Sequence, residues 1–184
     1  SGTAQNTISS VTQNYLDSLP AETEIRIVGL MDKPESLAGT PYEYIVPLLD
    51  DYAFKSNGKV TVEYINPKTY PTIIAQLDPD SSSQISDGMY VIKCGDRITT
   101  LIPSSCFTYD QNVMAQYGYY LPTSNVVESS FTNAIVAVTT DMSNKAYFIT
   151  GLQEDPHTSF SNILSSLFIE SVDLPVSDSF AIPE

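Results

Sequence analysis

The chain has no tryptophan, one histidine, two cysteines and only eight basic residues against 22 acidic ones. Each scarcity removes a class of function. A net charge of -14 has the wrong sign for neutralising phosphates, so nucleic acid is excluded as a partner. The same field disfavours anionic lipid headgroups and serves mainly to keep the protein in solution. Long apolar runs are missing too. No segment approaches the roughly 18 residues of a membrane span, and no charged-then-apolar leader opens the chain. The glycines are scattered singly, so phosphate-cradling loops of the Walker or dinucleotide type are missing. A single histidine with no cysteine near it makes a zinc centre an unsupported reading, and Asp78, Asp80 and Asp87 lack calcium-loop spacing. The residues imply no metal and no cofactor.

What is present is a globular composition, with 42% hydrophobic and 16% charged residues in 184, enough to bury a full core. Twelve tyrosines accompany it. Cys94 and Cys106 are expected to be free. Cys94 falls at a predicted hairpin tip and Cys106 beyond the far end of the return strand. At about 3.3 Å per residue their separation is roughly 20 Å, against the ~7 Å limit for a disulfide. The cysteines therefore leave the redox compartment undetermined. Both ends, Ser1-Gly2 and 179–184, are compatible with a piece cut from a longer protein.

Ile8, Val11, Tyr15, Leu16 and Leu19 give an amphipathic helix over 7–19, ended by Pro20. Residues 24–30 read as a strand in which Ile25, Ile27 and Gly29 alternate with Arg26 and Val28. Thr40-Pro41-Tyr42-Glu43 has capping-box spacing with proline at the first helical position. Ile45, Leu48, Leu49 and Tyr52 form the buried stripe of the helix that follows, and Asn57-Gly58 ends it. The second strand covers 59–65, a short helix 69–77, and a polar loop 78–88. Strands 89–94 and 97–102 join at Gly95-Asp96, a two-residue hairpin signal. Residues 103–124, with Tyr109, Tyr117, Tyr119 and Tyr120, read as a long irregular stretch, a kind of segment more often functional than not. Val127, Phe131, Ala134, Ile135, Val138 and Met142 share one face of a helix over 126–142. A strand at 145–150, a helix around Phe160, Ile163, Leu164 and Leu167, and a strand at 168–174 complete the chain.

This order is α/β: a thioredoxin-like domain with a leading helix over 1–143, then the first strand-helix-strand of a truncated second α/β unit over 144–184. The first two strands should be parallel through a right-handed crossover. The domain is redox-inactive by expectation. The position after the first strand, where a helix N-terminus lowers a thiol pKa, reads Met31-Asp32-Lys33-Pro34 and has no cysteine.

Two surfaces are candidates for function. Thr150, Gly151, Glu154 and His157 follow a strand end and precede a helix, the usual ligand position in α/β proteins. A hydrolytic or small-ligand site in that crevice is the alternative reading. No nucleophile elbow accompanies it, and Asp155 or Thr158 capping a helix with His157 in solvent accounts for the same residues. The tyrosines Tyr109, Tyr117, Tyr119 and Tyr120 are the other candidate, since tyrosine offers a large ring and a polar tip to a partner.

The stretches TISSVTQNYLDSLPAETEIRIVGL (7–30), LLDDYAFKSNGKVTVEYINP (48–67) and above all ESSFTNAIVAVTTDMSNKAYFITG (128–151) carry a family likeness. With them the chain resembles the auxiliary extracytoplasmic component of uncharacterised ABC-type transport systems, the family that includes the gliding-motility auxiliary protein. The resemblance implies a first domain followed by the start of a larger one similar to class I glutamine amidotransferases, without an established activity. It further implies membrane helices on either side that this chain lacks, a place on the extracytoplasmic side of a bacterial cell membrane, and permease or ATPase subunits as partners. After Thr150-Gly151 the family often has His-Gly-Glu. Here Leu152-Gln153-Glu154 stands there, so only Glu154 matches and His157 is displaced. The expected function is a non-catalytic interaction module that contacts a permease, a cargo or a surface component.

Overall fold

The computed structural model describes residues 6–140 and the short strand Glu170–Ser171. The elements run α1 (Ser10–Ser18), β1 (Ile25–Gly29), α2 (Tyr42–Lys55), β2 (Val60–Tyr64), α3 (Ile73–Leu77), β3 (Tyr90–Cys94) and β4 (Arg97–Leu101). A 3-10 turn (Pro103–Cys106) leads to β5 (Phe107–Tyr109), α4 (Gln111–Tyr117), β6 (Pro122–Asn125), α5 (Val127–Thr139) and β7 (Glu170–Ser171). The expected strand at 145–150, the helix around Phe160 and Met142 lie outside the described residues.

The protein is mixed α/β. Its main sheet has the order β2-β1-β3-β4. β1 and β2 are parallel, as a helical crossover through α2 requires, and β3 is antiparallel to both β1 and β4. The Gly95-Asp96 turn pairs Cys94 with Arg97, with Gly95 at φ 58°. Asn57 and Gly58, both left-handed, end α2 as expected. Thr40 does not cap that helix. Its hydroxyl donates to Leu37 O, and the Glu43 carboxylate accepts from Gly39 N instead.

Both faces of the sheet are covered. On one, Ile25, Ile27, Tyr90 and Ile92 meet Tyr15 and Leu16 of α1, Ile45, Leu49 and Tyr52 of α2, and Phe131 and Ile135 of α5. On the other, Val28, Leu30 and Val91 are sealed by Ile73 and Leu77 of α3. Alternation alone puts Val28 outside, yet it is fully buried because α3 lies over that face. A strand covered on both sides reads as a continuous apolar run.

Three helices are tied together by polar bonds inside the core. Tyr52 Oη donates to Glu128 O (2.9 Å) and lies 2.5 Å from Thr132 Oγ1, which is 2.9 Å from Thr12 Oγ1. With the tyrosine proton committed to the carbonyl, Thr132 donates to Tyr52 and Thr12 donates to Thr132. The result is one directed chain from α1 through α5 to α2. Thr139 Oγ1 donates to Ile135 O, so Tyr15 Oη donates to Thr139 (2.7 Å). Glu128 and Asp51 accept from Ser9 N and Ile8 N, satisfying backbone donors at the entrance to α1. At its exit, the buried Lys59 ammonium donates to Leu16 O and Leu19 O, each at 2.7 Å. α3 ends the same way, with Lys93 Nζ 2.6 Å from Leu77 O.

Candidate functional site

The stretch 103–124, expected to be irregular, is an ordered excursion between β4 and α5. Asp110 starts α4: its Oδ1 accepts from Asn112 N (2.9 Å) and Val113 N (3.1 Å). Gly118, left-handed at φ 73°, ends it by donating its N–H to Met114 O. These two residues frame QNVMAQY in the sequence as cap and stop, the local signal that marks this helix. β5 and β6 close the base of the excursion as an antiparallel pair, with a register shift between Thr108 and Tyr109. Asp110 N donates to Leu121 O, and Thr108 Oγ1 bonds Ser124 Oγ. Val126 N donates to Cys106 O at 2.7 Å, fixing the base to the start of α5. β6 pairs in turn with β7, Ser124 opposite Ser171.

α4 has no fully buried side chain, and only Val113 and Met114 are half-buried. A seven-residue helix is not stable in water by itself, so this one is held by its caps and by the strand pair beneath it. What it presents is aromatic. Tyr117 is 63% exposed and stacks on Tyr119 with centroids 6.1 Å apart and planes 28° from parallel. Tyr120 meets Tyr109 edge to face at 5.5 Å. Tyr109 is the half-buried anchor of the group. Its hydroxyl donates to Ser104 O (2.9 Å), and burial pushes its pKa up to about 12. The structure therefore divides the four tyrosines into one anchor, Tyr109, and three outward rings, Tyr117, Tyr119 and Tyr120.

Thr150, Gly151, Glu154 and His157 lie outside the described residues. The other place where an α/β fold collects ligands, the carboxyl ends of β1 and β2, is filled by side chains. Tyr64 and Tyr90 hydroxyls are 3.1 Å apart, their rings meet edge to face, and Tyr90 packs edge to face on Phe131. Lys33 Nζ stands 6.0 Å from the Tyr64 ring centroid. Neither thiol is near a reactive arrangement. Cys94 and Cys106 are buried and not joined in a disulfide, burial raises both pKa values, and Cys106 reaches about 11. At neutral pH they are thiols rather than the thiolates exchange chemistry needs. Among the described residues no group of His, Cys, Asp and Glu could hold a metal ion, and no helix is long and apolar enough to cross a membrane. Set against protein-family models, curated proteins and solved structures, the chain matches none of them.

Proposed function

We propose that the chain is a redox-inactive, thioredoxin-like interaction module of an ABC-transporter auxiliary protein. It works on the extracytoplasmic side of a bacterial membrane and contacts a permease, a cargo or a surface component. The observation that carries this reading is the excursion around α4, whose helix leaves no side chain fully buried and which exposes Tyr117 and Tyr119. Aromatic rings exposed outside the core match the composition of protein contact surfaces. The strand order β2-β1-β3-β4, with one parallel and two antiparallel pairings, supports the thioredoxin-like part. The absence of a cysteine after β1 supports its inactivity. On this reading the expected second unit, resembling class I glutamine amidotransferases, begins after α5.

The test is a pull-down against detergent-solubilised transporter subunits encoded beside the chain. Wild type is expected to retain a subunit that Tyr117→Ser/Tyr119→Ser/Tyr120→Ser loses, with unchanged far-UV circular dichroism. If the triple variant keeps every contact, the tyrosine face is not the contact surface.

A further inference from the structure

We infer that the tyrosine face takes a cationic partner, a segment of another protein rich in arginine or lysine. The inference rests on the proposed reading of this face as a contact surface, and it follows from where the charges of the chain lie. Between Arg97 and Lys145 the sequence has no basic residue, while Asp110, Glu128 and Asp141 fall within that span. The face is thus a cluster of rings with Asp110 beside it and no cation of its own excursion to oppose a ligand's charge.

Four of the eight basic residues make bonds within the fold. Lys59 and Lys93 direct their ammonium groups at helix-end carbonyls, Arg26 pairs with Glu63 at 2.7 Å, and Lys55 pairs with Asp51 at 3.0 Å. The chain as a whole carries a net charge of -14. A cation approaching the face gains twice, from that field and from the negative π faces of Tyr117 and Tyr119. The same charge makes a second copy of the chain a poor occupant, because both copies would carry -14.

The probe is an oligo-arginine peptide carrying one tryptophan. The protein has none, so the indole signal reports the peptide alone. Binding is titrated for wild type, Tyr117→Phe/Tyr119→Phe, Tyr117→Leu/Tyr119→Leu and a remote charge variant, Asp80→Asn/Asp87→Asn. These two tyrosines stack on each other and are not part of the Tyr109–Tyr120 pair, so that contact is left intact. Phenylalanine keeps the π face, and leucine keeps apolar area but loses it. The expected result is wild-type affinity for the Phe pair within about twofold, a loss of about tenfold for the Leu pair, and little change for the remote variant. Binding should weaken as salt is added.

Equal affinities for the Phe and Leu pairs overturn the inference, as does a loss confined to the remote variant. So does concentration-dependent self-association in sedimentation that Tyr117→Leu/Tyr119→Leu abolishes, which would make the occupant a second copy. If the Leu pair leaves peptide binding unchanged while the serine triple variant still loses a transporter subunit, the contact surface stands and only the cationic class falls.

Discussion

Replacing Lys59 by methionine isolates the device that ends α1. The lysine is 7% exposed and donates two bonds of 2.7 Å, to Leu16 O and Leu19 O. Methionine keeps the apolar stem and removes the ammonium. Leu16 O retains the Leu19 N–H at 3.2 Å, whereas Leu19 O is left bare in a buried place. A carbonyl orphaned in this way costs about 1–3 kcal/mol, and a charge-assisted bond contributes about 1.5–3 kcal/mol. Against this, methionine avoids the desolvation of a buried charge. The balance is a loss of about 2–3 kcal/mol. For a chain of this size that lowers Tm by about 5–10 °C. Urea unfolding followed by circular dichroism measures it, with the exposed Lys68→Met as control, expected within about 0.5 kcal/mol of wild type. The deficit should persist in high salt, since the contact is shielded from solvent ions. A Lys59→Met protein as stable as the Lys68→Met control would refute the capping argument.

Three further outcomes are expected. Thr23 Oγ1 is buried without a hydrogen-bond partner, so Thr23→Val should raise stability by about 1 kcal/mol, read as a higher urea midpoint at constant slope. A Cβ at Gly29 would stand 2.7 and 2.8 Å from Tyr64 ring atoms. The ring is held by Tyr90, so Gly29→Ala should cost about 1–3 kcal/mol, and distinctly less in a Tyr64→Ala background. Stability should also fall at alkaline pH. Burial raises Cys106 from 9.0 to about 11 and Tyr109 from 10.0 to about 12, and it raises Tyr52 and Tyr90 as well. Between the unfolded and folded values the native state binds more protons, so stability is complete below about pH 9 and declines as pH rises through 11. Cys106 alone accounts for on the order of 2 kcal/mol, and Cys106→Ala should flatten the first part of the decline in urea midpoint. A midpoint unchanged up to pH 11 contradicts this.

The sequence by itself was enough for the elements whose signals are local. The stripes of α1, α2 and α5, the Gly95-Asp96 hairpin, the left-handed Asn57-Gly58 stop and the lack of a Cys94–Cys106 disulfide all follow from spacing, turn chemistry and reach along a strand. So did the choice of the tyrosines as candidates, though not their division into an anchor and exposed rings. Tertiary structure decided whatever depends on distant neighbours. Val28 is buried because α3 crosses over it, and the Thr40 hydroxyl turns back to Leu37 O where the sequence spacing suggested a cap. Lys59 caps α1 from a point some forty residues away along the chain. The Thr12–Thr132–Tyr52 chain joins three helices that share no local pattern. Periodicity reports which face of an element is apolar, but hydrogen bonds are short-ranged and directional. Only the fold brings their donors and acceptors together, and so determines which polar side chains are structural and which tyrosines stay exposed.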